Sequence, residues 1–444
     1  MQGLAPDGGL FIPEEFPQFD HHELKRLCGA PYADIAYYVI KPFIGEDIAD
    51  EDLRRILGEV YEDEFKHSSV APLVQIGPNS WVLELFHGPT LAFKDYALQL
   101  LGRLFDHVLA QKNERITIVG ATSGDTGSAA IEACKGRENI DIFILHPHNR
   151  TSEVQRRQMT TIDAPNVHNI AIEGTFDDCQ NIVKAMFNDQ KFRSDINLSA
   201  VNSINWARIM AQIVYYVSSS IALGGPSRPV SFAVPTGNFG NIYAAYAAQK
   251  MGLPIKRLAI GSNRNDILTR FFETGSMSST KVEPSISPSM DIQISSNFER
   301  YLCDLLDHDT ASLKKLMDSF KTKNKYTISD THMAKARRQF SAYRCDDAQT
   351  INMMRECYKN TGYILDPHTA VGMCAANRLT DDPSVPLVSL ACAHPAKFPD
   401  AVEKAIGIRP DLPEHLSDLY DRPEFVTVLD NNLKTVQNFV RKNI

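Results

Sequence analysis

The chain has 444 residues, of which 43% are hydrophobic and 23% are charged, as expected for a globular protein of two or three domains. Its formal net charge of -8 disfavours nonspecific binding to nucleic acid or to an anionic membrane surface. The first residues show no signal-peptide pattern, and no apolar run approaches the roughly 18–20 residues of a membrane span. The eight cysteines form no C-x-x-C pair, which argues against a zinc knuckle and predicts reduced thiols. We therefore expect a cytoplasmic protein with no membrane or nucleic-acid partner.

Strand and helix patterns alternate through the middle of the chain. Residues 48–64 have helical apolar spacing, and from residue 81 onward β-branched runs alternate with helical runs. This order is typical of parallel sheets covered by helices on both faces. Residues 297–360 are charged and helix-favouring, without a clear strand pattern. The predicted strands are 81–85, 115–119, 140–145, 167–172, 230–234, 258–261 and 385–391.

The same patterns predict the domain organisation. Residues 1–80 should form an N-terminal domain of mixed structure, and residues 101–199 a small α/β domain. A large α/β domain should combine residues 81–100 and 200–444 and carry a helical extension over about 297–360.

The stretch 85–101 contains a lysine in an unusual position. Lys94 follows three apolar residues at the start of a predicted helix, just after a predicted turn at 88–90. Desolvation lowers the pKa of a lysine and makes its neutral amine available for imine chemistry. Taken alone, the pattern also fits a lysine whose stem is buried and whose ammonium reaches the surface.

Two loops between predicted strands and helices are candidates for anion binding. Residues 120–127 read Gly-Ala-Thr-Ser-Gly-Asp-Thr-Gly, and a helix start offers free backbone N–H groups. Thr122, Ser123 and Thr126 add hydroxyl donors suited to a carboxylate. Residues 235–241 read Pro-Thr-Gly-Asn-Phe-Gly-Asn, whose glycines let the backbone approach a phosphate. Neither loop is a dinucleotide fingerprint or a P-loop, and an ordinary capped turn is the alternative for both.

Three further residues are candidates for ligand contacts. Cys392 follows the predicted strand 385–391, where it would donate a weak S–H hydrogen bond or act as a small hydrophobe. Arg208 begins an apolar helix, where it would bind a phosphate or pair with an acid. Lys41 is a weaker basic candidate. An imine-forming lysine, two anion-binding loops and a small donor at a strand end are the contacts that pyridoxal phosphate and an amino acid require.

With these motifs the chain resembles the threonine synthases of bacteria and fungi, which are fold-type-II pyridoxal-phosphate enzymes. The resemblance implies an α/β fold like that of the tryptophan synthase β subunit, with two parallel-sheet domains, an N-terminal domain and a helical extension. It implies pyridoxal 5'-phosphate as the cofactor and a monomer or homodimer. The matching stretches are 5–13, 87–96, 120–127, 152–159, 173–184, 202–216, 234–241, 366–372 and 393–398.

The resemblance also implies roles for the residues around the cofactor. Lys94 would be the Schiff-base lysine and proton shuttle, and Asp125 would face the cofactor's phenolic oxygen. Cys392 stands where the family has a hydroxyl partner of the pyridine nitrogen, and Thr369 is the second candidate for that contact. The cup for the cofactor phosphate would be formed by Gly237, Asn238, Phe239, Gly240 and Asn241.

The implied reaction converts O-phospho-L-homoserine and water into L-threonine and phosphate by β,γ-elimination and addition of water at Cβ. A related phospholyase, which gives 2-oxobutyrate, ammonia and phosphate, would share the cofactor residues. A catalytically silent binding protein is the alternative from a different class. The substrate carboxylate would be held by Thr122, Ser123, Gly124 and Thr126. The substrate phosphate would be held by Ser203, Asn205 and Arg208, with Lys41 as a further cation.

Overall fold

The computed structural model describes residues 4–5, 7–122, 124–200, 203–379 and 382–444. The chain forms two compact units. The first unit is Gly88–Asn202 with Asp411–Ile444, and the second is Gln2–His87 with Ser203–Pro410. Within the described ranges, no helix combines the length and the hydropathy that crossing a membrane requires.

Helices make up most of the regular structure. The α-helices of the described residues are α1 His21–Arg26, α2 Tyr32–Ile44, α3 Asp50–Gly58, α4 Lys94–Lys112, α5 Asp125–Cys134, α6 Glu153–Thr160, α7 Phe176–Asn188, α8 Gln190–Asp195, α9 Trp206–Ala222, α10 Gly240–Lys250, α11 Ile267–Thr274, α12 Phe298–Leu305, α13 Thr310–Lys323, α14 Asp330–Gln339, α15 Asp347–Thr361, α16 Pro367–Ala376, α17 Pro399–Ile406 and α18 Leu433–Lys442. A π-helical segment, Glu59–Glu64, continues α3.

The strands form three sheets in the described part of the chain. The strands are β1 Leu73–Gly77, β2 Ser80–Glu84, β3 Ile116–Ala121, β4 Ile140–Pro147, β5 Val167–Glu173, β6 Leu198–Ser199, β7 Val230–Pro235, β8 Ile255–Ser262, β9 Ser276–Ser278, β10 Lys325–Thr327, β11 Phe340–Arg344, β12 Leu387–Ala391 and β13 Thr427–Asp430. The smallest sheet pairs β9 with β10.

The first unit contains a five-stranded parallel sheet in the order β13-β5-β4-β3-β6. Every residue of β4 is buried, as expected for a parallel strand covered on both faces. Helices α4 and α5 pack closely, because a Cβ atom on Gly102 of α4 would lie 2.4 Å from the carbonyl oxygen of Ala133 in α5. The first residues of these two helices are Lys94 and Asp125.

The second unit contains a six-stranded sheet in the order β1-β2-β12-β7-β8-β11. All its neighbours are parallel except β1 and β2. Strands β7 and β12 are neighbours, with Ser389 opposite Ala233. Their carboxyl ends therefore lie at the same sheet edge, where α/β proteins bind ligands. This edge carries the 235–241 loop and Cys392.

Four sequence-based expectations differ from the structure. The predicted helical extension over about 297–360 contains helices α12 to α15, but also the short strand β10 and the parallel edge strand β11 beside β8, which the sequence pattern does not indicate. Residues 88–100 and 411–444, which we assigned to the large domain, lie in the first unit, where β13 pairs with β5. The described part of residues 1–80, which we expected to form a separate N-terminal domain, lies in the second unit. Cys345 and Cys374 form a disulfide, so the prediction of reduced thiols is wrong for this pair.

Candidate active site

The turn before α4 fixes the position of Lys94 in the first unit. Thr90 donates from its backbone N to Asp95 Oδ2 at 2.8 Å and from Oγ1 to Asp95 Oδ1 at 2.6 Å. Gly88 lies against the same side chain, since a Cβ there would come within 2.6 Å of Asp95 Cβ. Asp95 is fully buried, and it ties the turn to the first turn of the helix. Because Lys94 directly precedes Asp95, the same contacts restrict the position of its backbone.

The amine of Lys94 lies beside a buried carboxylate. Its Nζ is 3.1 Å from Asp125 Oδ2, and the Lys94 side chain is only 12% exposed. The other oxygen, Asp125 Oδ1, accepts a hydrogen bond from Gln155 Nε2 at 2.7 Å. Ser152 Oγ in turn donates to Gln155 Oε1 at 2.8 Å. The structure therefore places Lys94 at the end of a hydrogen-bonded chain that runs through α5 into α6.

Gln155 was missed in the sequence analysis, although it lies within the matching stretch 152–159. Its contact to Asp125 joins residues 30 positions apart in the chain. Gly124, with φ of +150°, makes room for it, because a Cβ there would lie 2.5 Å from Gln155 Cδ. No local signal in the sequence indicates this contact.

The loop predicted to bind the substrate carboxylate is a tight turn into α5. Thr122 Oγ1 accepts hydrogen bonds from the backbone N of Gly124 at 3.0 Å and of Gly127 at 2.9 Å. Its oxygen therefore stabilises the turn, while its hydroxyl proton can still be donated to a ligand. Thr126 lies in the first turn of α5 and is partly exposed. Ser123 lies outside the described residues.

The loop between β7 and α10 in the second unit has a left-handed backbone at Phe239, with φ of +63°. The Phe239 ring is buried, and its centroid lies 4.9 Å from that of Phe298, so this side chain anchors the loop in the core. Helix α10 begins at the next residue, Gly240, where free N–H groups and the helix dipole favour an anion. The loop thus has the backbone geometry of a phosphate cup.

Residues 295–297 form hydrogen bonds to the loop between β7 and α10. Ser295 Oγ donates to the Gly237 carbonyl at 2.8 Å, and Ser296 Oγ donates to Asn238 Oδ1 at 3.1 Å. Asn297 Nδ2 donates to the Asn238 carbonyl at 3.1 Å. These residues are not among the sequence-based candidates, because a polar segment before α12 carries no sign of a partner some 58 positions away.

Arg208 is a buried cation on α9. It is 4% exposed, and Nε and Nη1 have no hydrogen-bond partner in the described part of the chain. Burial lowers the pKa of its guanidinium to about 10. A buried charge without a partner is costly, so this position favours an anionic ligand.

Two of the other residues proposed for the substrate phosphate, Asn205 and Lys41, have structural partners for their side chains. Asn205 caps α9 by accepting a hydrogen bond from the backbone N of Ala207 at 2.9 Å. The carbonyl of Ser203 accepts from Asn297 Nδ2 at 3.1 Å. Lys41 Nζ pairs with Asp50 Oδ1 at 2.5 Å, and this hydrogen bond raises the pKa of Lys41. Among these candidates, Arg208 is the cation for which the described residues provide no acidic partner.

The two candidates for the pyridine-nitrogen contact differ in their surroundings. Thr369 Oγ1 donates to Asp366 Oδ2, so its hydroxyl proton is already engaged. Cys392 directly follows β12 and is 7% exposed, with its sulfur 3.7 Å from Asn241 Nδ2. Asn241 and Cys392 are therefore in contact. The Cys392 thiol donates to the Leu390 carbonyl at 3.8 Å, a weaker contact than the one between Thr369 and the Asp366 carboxylate, so Cys392 is the more readily redirected donor.

Comparisons with known proteins agree with this arrangement. Three family models match the chain: "Pyridoxal-phosphate dependent enzyme" over residues 69–388, "Threonine synthase N terminus" over 1–61 and "Threonine synthase, C-terminal" over 369–440. Threonine synthase from Pseudomonas aeruginosa is 55% identical over 444 residues, which cover 100% of this chain and 94% of that protein.

Solved structures give the same result. The crystal structure of PLP-bound threonine synthase from Brucella melitensis superposes with a TM-score of 0.98 at 53% identity, covering 99% of this chain and 95% of that one. The crystal structure of threonine synthase from yeast superposes with a TM-score of 0.95 at 41% identity, covering 99% of this chain and 94% of that one.

The matching family model and the solved structures define a fold-type-II pyridoxal-phosphate-dependent enzyme, and the predicted fold class and cofactor are confirmed. Within that class, the chain belongs to the threonine synthase family. The described residues fit the cofactor. The first unit offers the amine of Lys94, and the second offers the glycine-rich loop at the start of α10.

Proposed function

We propose that this enzyme converts O-phospho-L-homoserine and water into L-threonine and phosphate. The observation that carries the proposal is the mostly buried amine of Lys94, held 3.1 Å from Asp125 in a chain of the threonine synthase family. Burial keeps water from competing for this amine, and the carboxylate fixes where Nζ lies.

When bound, pyridoxal phosphate supplies the electron sink that lets protons leave the carbons next to the substrate's amino group. Lys94 Nζ takes and returns these protons. Asp125 orients Nζ through Oδ2, and Gln155 holds the carboxylate through Oδ1. A base held at one place by two further groups needs no reorganisation during proton transfer.

The anionic parts of the ligands have separate binding elements. We assign the cofactor phosphate to the backbone N–H groups of the 237–241 loop, at the start of α10. We assign the substrate phosphate to the buried guanidinium of Arg208. We assign the substrate carboxylate to the start of α5, with Thr122 and Thr126 as hydroxyl donors. We assign the pyridine nitrogen to Cys392.

A product assay tests the proposed reaction. Purified enzyme supplied with pyridoxal phosphate and O-phospho-L-homoserine should release phosphate and threonine in equal amounts. Phosphate release with 2-oxobutyrate and ammonia in place of threonine would identify a phospholyase and overturn the proposal.

A lysine variant tests the assigned amine. Lys94→Ala should lose the visible absorbance band of the lysine-bound cofactor and all turnover. Lys112→Ala, an exposed change at the other end of α4, should keep both. Turnover by Lys94→Ala would contradict the assignment.

We also propose that the enzyme acts in the cytoplasm as a monomer or homodimer. The absence of a membrane-crossing helix in the described residues and the net charge of -8 are compatible with this location. Sedimentation velocity of the holoenzyme measures the assembly, and a mass above that of two chains would exclude the proposed states.

A further inference from the structure

The side chain of Asn241 is turned toward two tyrosines of α9. Asn241 Oδ1 lies 2.6 Å from the hydroxyl of Tyr215 and 2.7 Å from that of Tyr216. Burial raises the pKa of Tyr216 well above its usual value, so this phenol stays protonated and acts as a donor. An oxygen that accepts from two phenols fixes which end of the carboxamide carries the NH2 group.

The tyrosine contacts are themselves anchored on α9. The Tyr215 hydroxyl also lies 3.1 Å from Gln212 Oε1, and Gln212 Nε2 donates to the Arg208 carbonyl at 2.8 Å. Side chains at positions 208, 212, 215 and 216 share one face of an α-helix, and this face packs on α10. The carboxamide is therefore held from one side by a rigid element.

The NH2 group of Asn241 consequently points to Cys392. Its Nδ2 lies 3.7 Å from Cys392 Sγ, within reach of an N–H···S hydrogen bond. Sulfur is a weak acceptor, and the Cys392 thiol itself donates to the Leu390 carbonyl at 3.8 Å, a weak contact that a stronger acceptor can replace. A donor fixed on one lone pair of the sulfur directs the S–H away from that donor.

We propose that Asn241 is a positioning residue for the Cys392 thiol, oriented by Tyr215 and Tyr216, and that its side chain does not serve the phosphate cup. This inference rests on the proposed contact between Cys392 and the pyridine nitrogen of the cofactor. Asn241 contributes a backbone N–H to the 237–241 loop, while its carboxamide acts on the sulfur. The electronic state of the cofactor ring would thus depend on the Asn241 carboxamide through the Cys392 sulfur.

A double-mutant cycle on the holoenzyme tests this coupling. The readout is the pH at which the visible band of the Lys94-bound cofactor titrates, since this pH depends on the hydrogen bond to the ring nitrogen. Cys392→Ala and Asn241→Ala should each shift it by about half a pH unit, the size expected of one hydrogen bond. The double variant should shift it no further than Cys392→Ala alone.

Asn241→Ala leaves two buried hydroxyls without an acceptor and can destabilise the fold, so a second variant is needed. Tyr215→Phe combined with Tyr216→Phe keeps the volume and keeps Asn241, but removes the donors that orient it. This variant should shift the titration in the same direction. Tyr243→Phe, which removes a buried hydroxyl on α10 that contacts Asp304 instead, is the matched control and should leave it unchanged.

The affinity for pyridoxal phosphate distinguishes an Asn241 side chain that positions the thiol from one that binds the cofactor phosphate. Asn241→Ala should weaken pyridoxal-phosphate binding by less than about tenfold, because no hydrogen bond to the phosphate is lost. A larger loss of affinity with an unchanged titration would make Asn241 a phosphate ligand and overturn the inference. Additive shifts in the cycle, or no shift in Cys392→Ala, would also overturn it. Failure of the proposed reaction would show independently, as 2-oxobutyrate from the wild-type enzyme.

Discussion

Gln155 Nε2 donates to Asp125 Oδ1 at 2.7 Å, and this is the carboxylate oxygen that does not contact Lys94. The carboxylate is thus held between an amide and an amine, with Asp125 itself only 5% exposed. The orientation of the amine depends on a residue of α6 that has no direct contact with it among the described residues.

Gln155→Leu should therefore lower kcat/KM, because it removes a hydrogen bond to a charged group without changing the size of the side chain greatly. Such a bond contributes about 1.5–3 kcal/mol, which corresponds to a loss of roughly tenfold to a hundredfold. Steady-state kinetics measures this loss, and circular dichroism checks the fold. Gln111→Leu, at an exposed position on α4, is the control. Equal kinetics for Gln155→Leu and wild type would show that Asp125 needs no support from α6.

Arg208 provides a prediction about stability as well as binding. In the absence of ligand, Arg208→Met should raise the free energy of unfolding by about 1–3 kcal/mol, because it removes a buried guanidinium whose Nε and Nη1 lack partners in the described residues. With pyridoxal phosphate bound, so that the 237–241 loop is occupied, inorganic phosphate should raise the Tm of the wild-type enzyme and not that of the variant. The KM for O-phospho-L-homoserine should rise. Destabilisation of the ligand-free variant would show that the fold itself compensates the charge.

The sequence indicated the elements of the site better than the contacts that support them. The 85–101 stretch predicted the turn and a helix from about residue 93, and α4 begins at Lys94. Its turn residues and apolar spacing are local signals. Gln155, and Tyr215 behind Asn241, carry no such signal, because their partners are 30 and 26 positions away.

The strands that were not predicted also depend on partners far away in the chain. β11 reads Phe-Ser-Ala-Tyr-Arg and follows α14 directly, and it becomes a strand because β8 offers a parallel edge. β13 is four residues long and pairs with β5, 257 positions earlier in the chain (427 − 170). Short edge strands depend on tertiary pairing more than on intrinsic propensity.

The close approach of α4 and α5 gives a prediction at a residue outside the active site. Gly102→Ala should destabilise the protein by about 1–3 kcal/mol, since the new methyl group would meet the Ala133 carbonyl at 2.4 Å. Because the two helices carry Lys94 and Asp125 at their first residues, activity should also fall. Gly58→Ala, in a helical position with room for a Cβ, should be neutral or stabilising. Chemical denaturation measures both variants, and equal stabilities would show that α4 and α5 can separate without cost.

Asp304 provides a prediction about pH. Burial raises the pKa of this carboxyl, an effect that Lys250, His308 and the Tyr243 hydroxyl only partly oppose. Because the folded-state pKa lies above the unfolded value of about 3.9, the stability that the protonated carboxyl contributes is lost as the pH rises through the folded pKa. Asp304→Asn should therefore stabilise the protein relative to wild type more at about pH 8 than at about pH 4.

Asp307 is the matched control for Asp304, because the hydrogen bond from Lys335 lowers the pKa of its exposed carboxyl. The stability that the Asp307 carboxylate contributes is present above its unfolded-state pKa and is lost as the pH falls through its folded-state pKa. Asp307→Asn should therefore show a pH dependence of stability opposite in sign to that of Asp304→Asn. Urea denaturation of both variants across this range gives the two slopes. Parallel slopes for the two variants would show that burial does not govern the ionisation of Asp304.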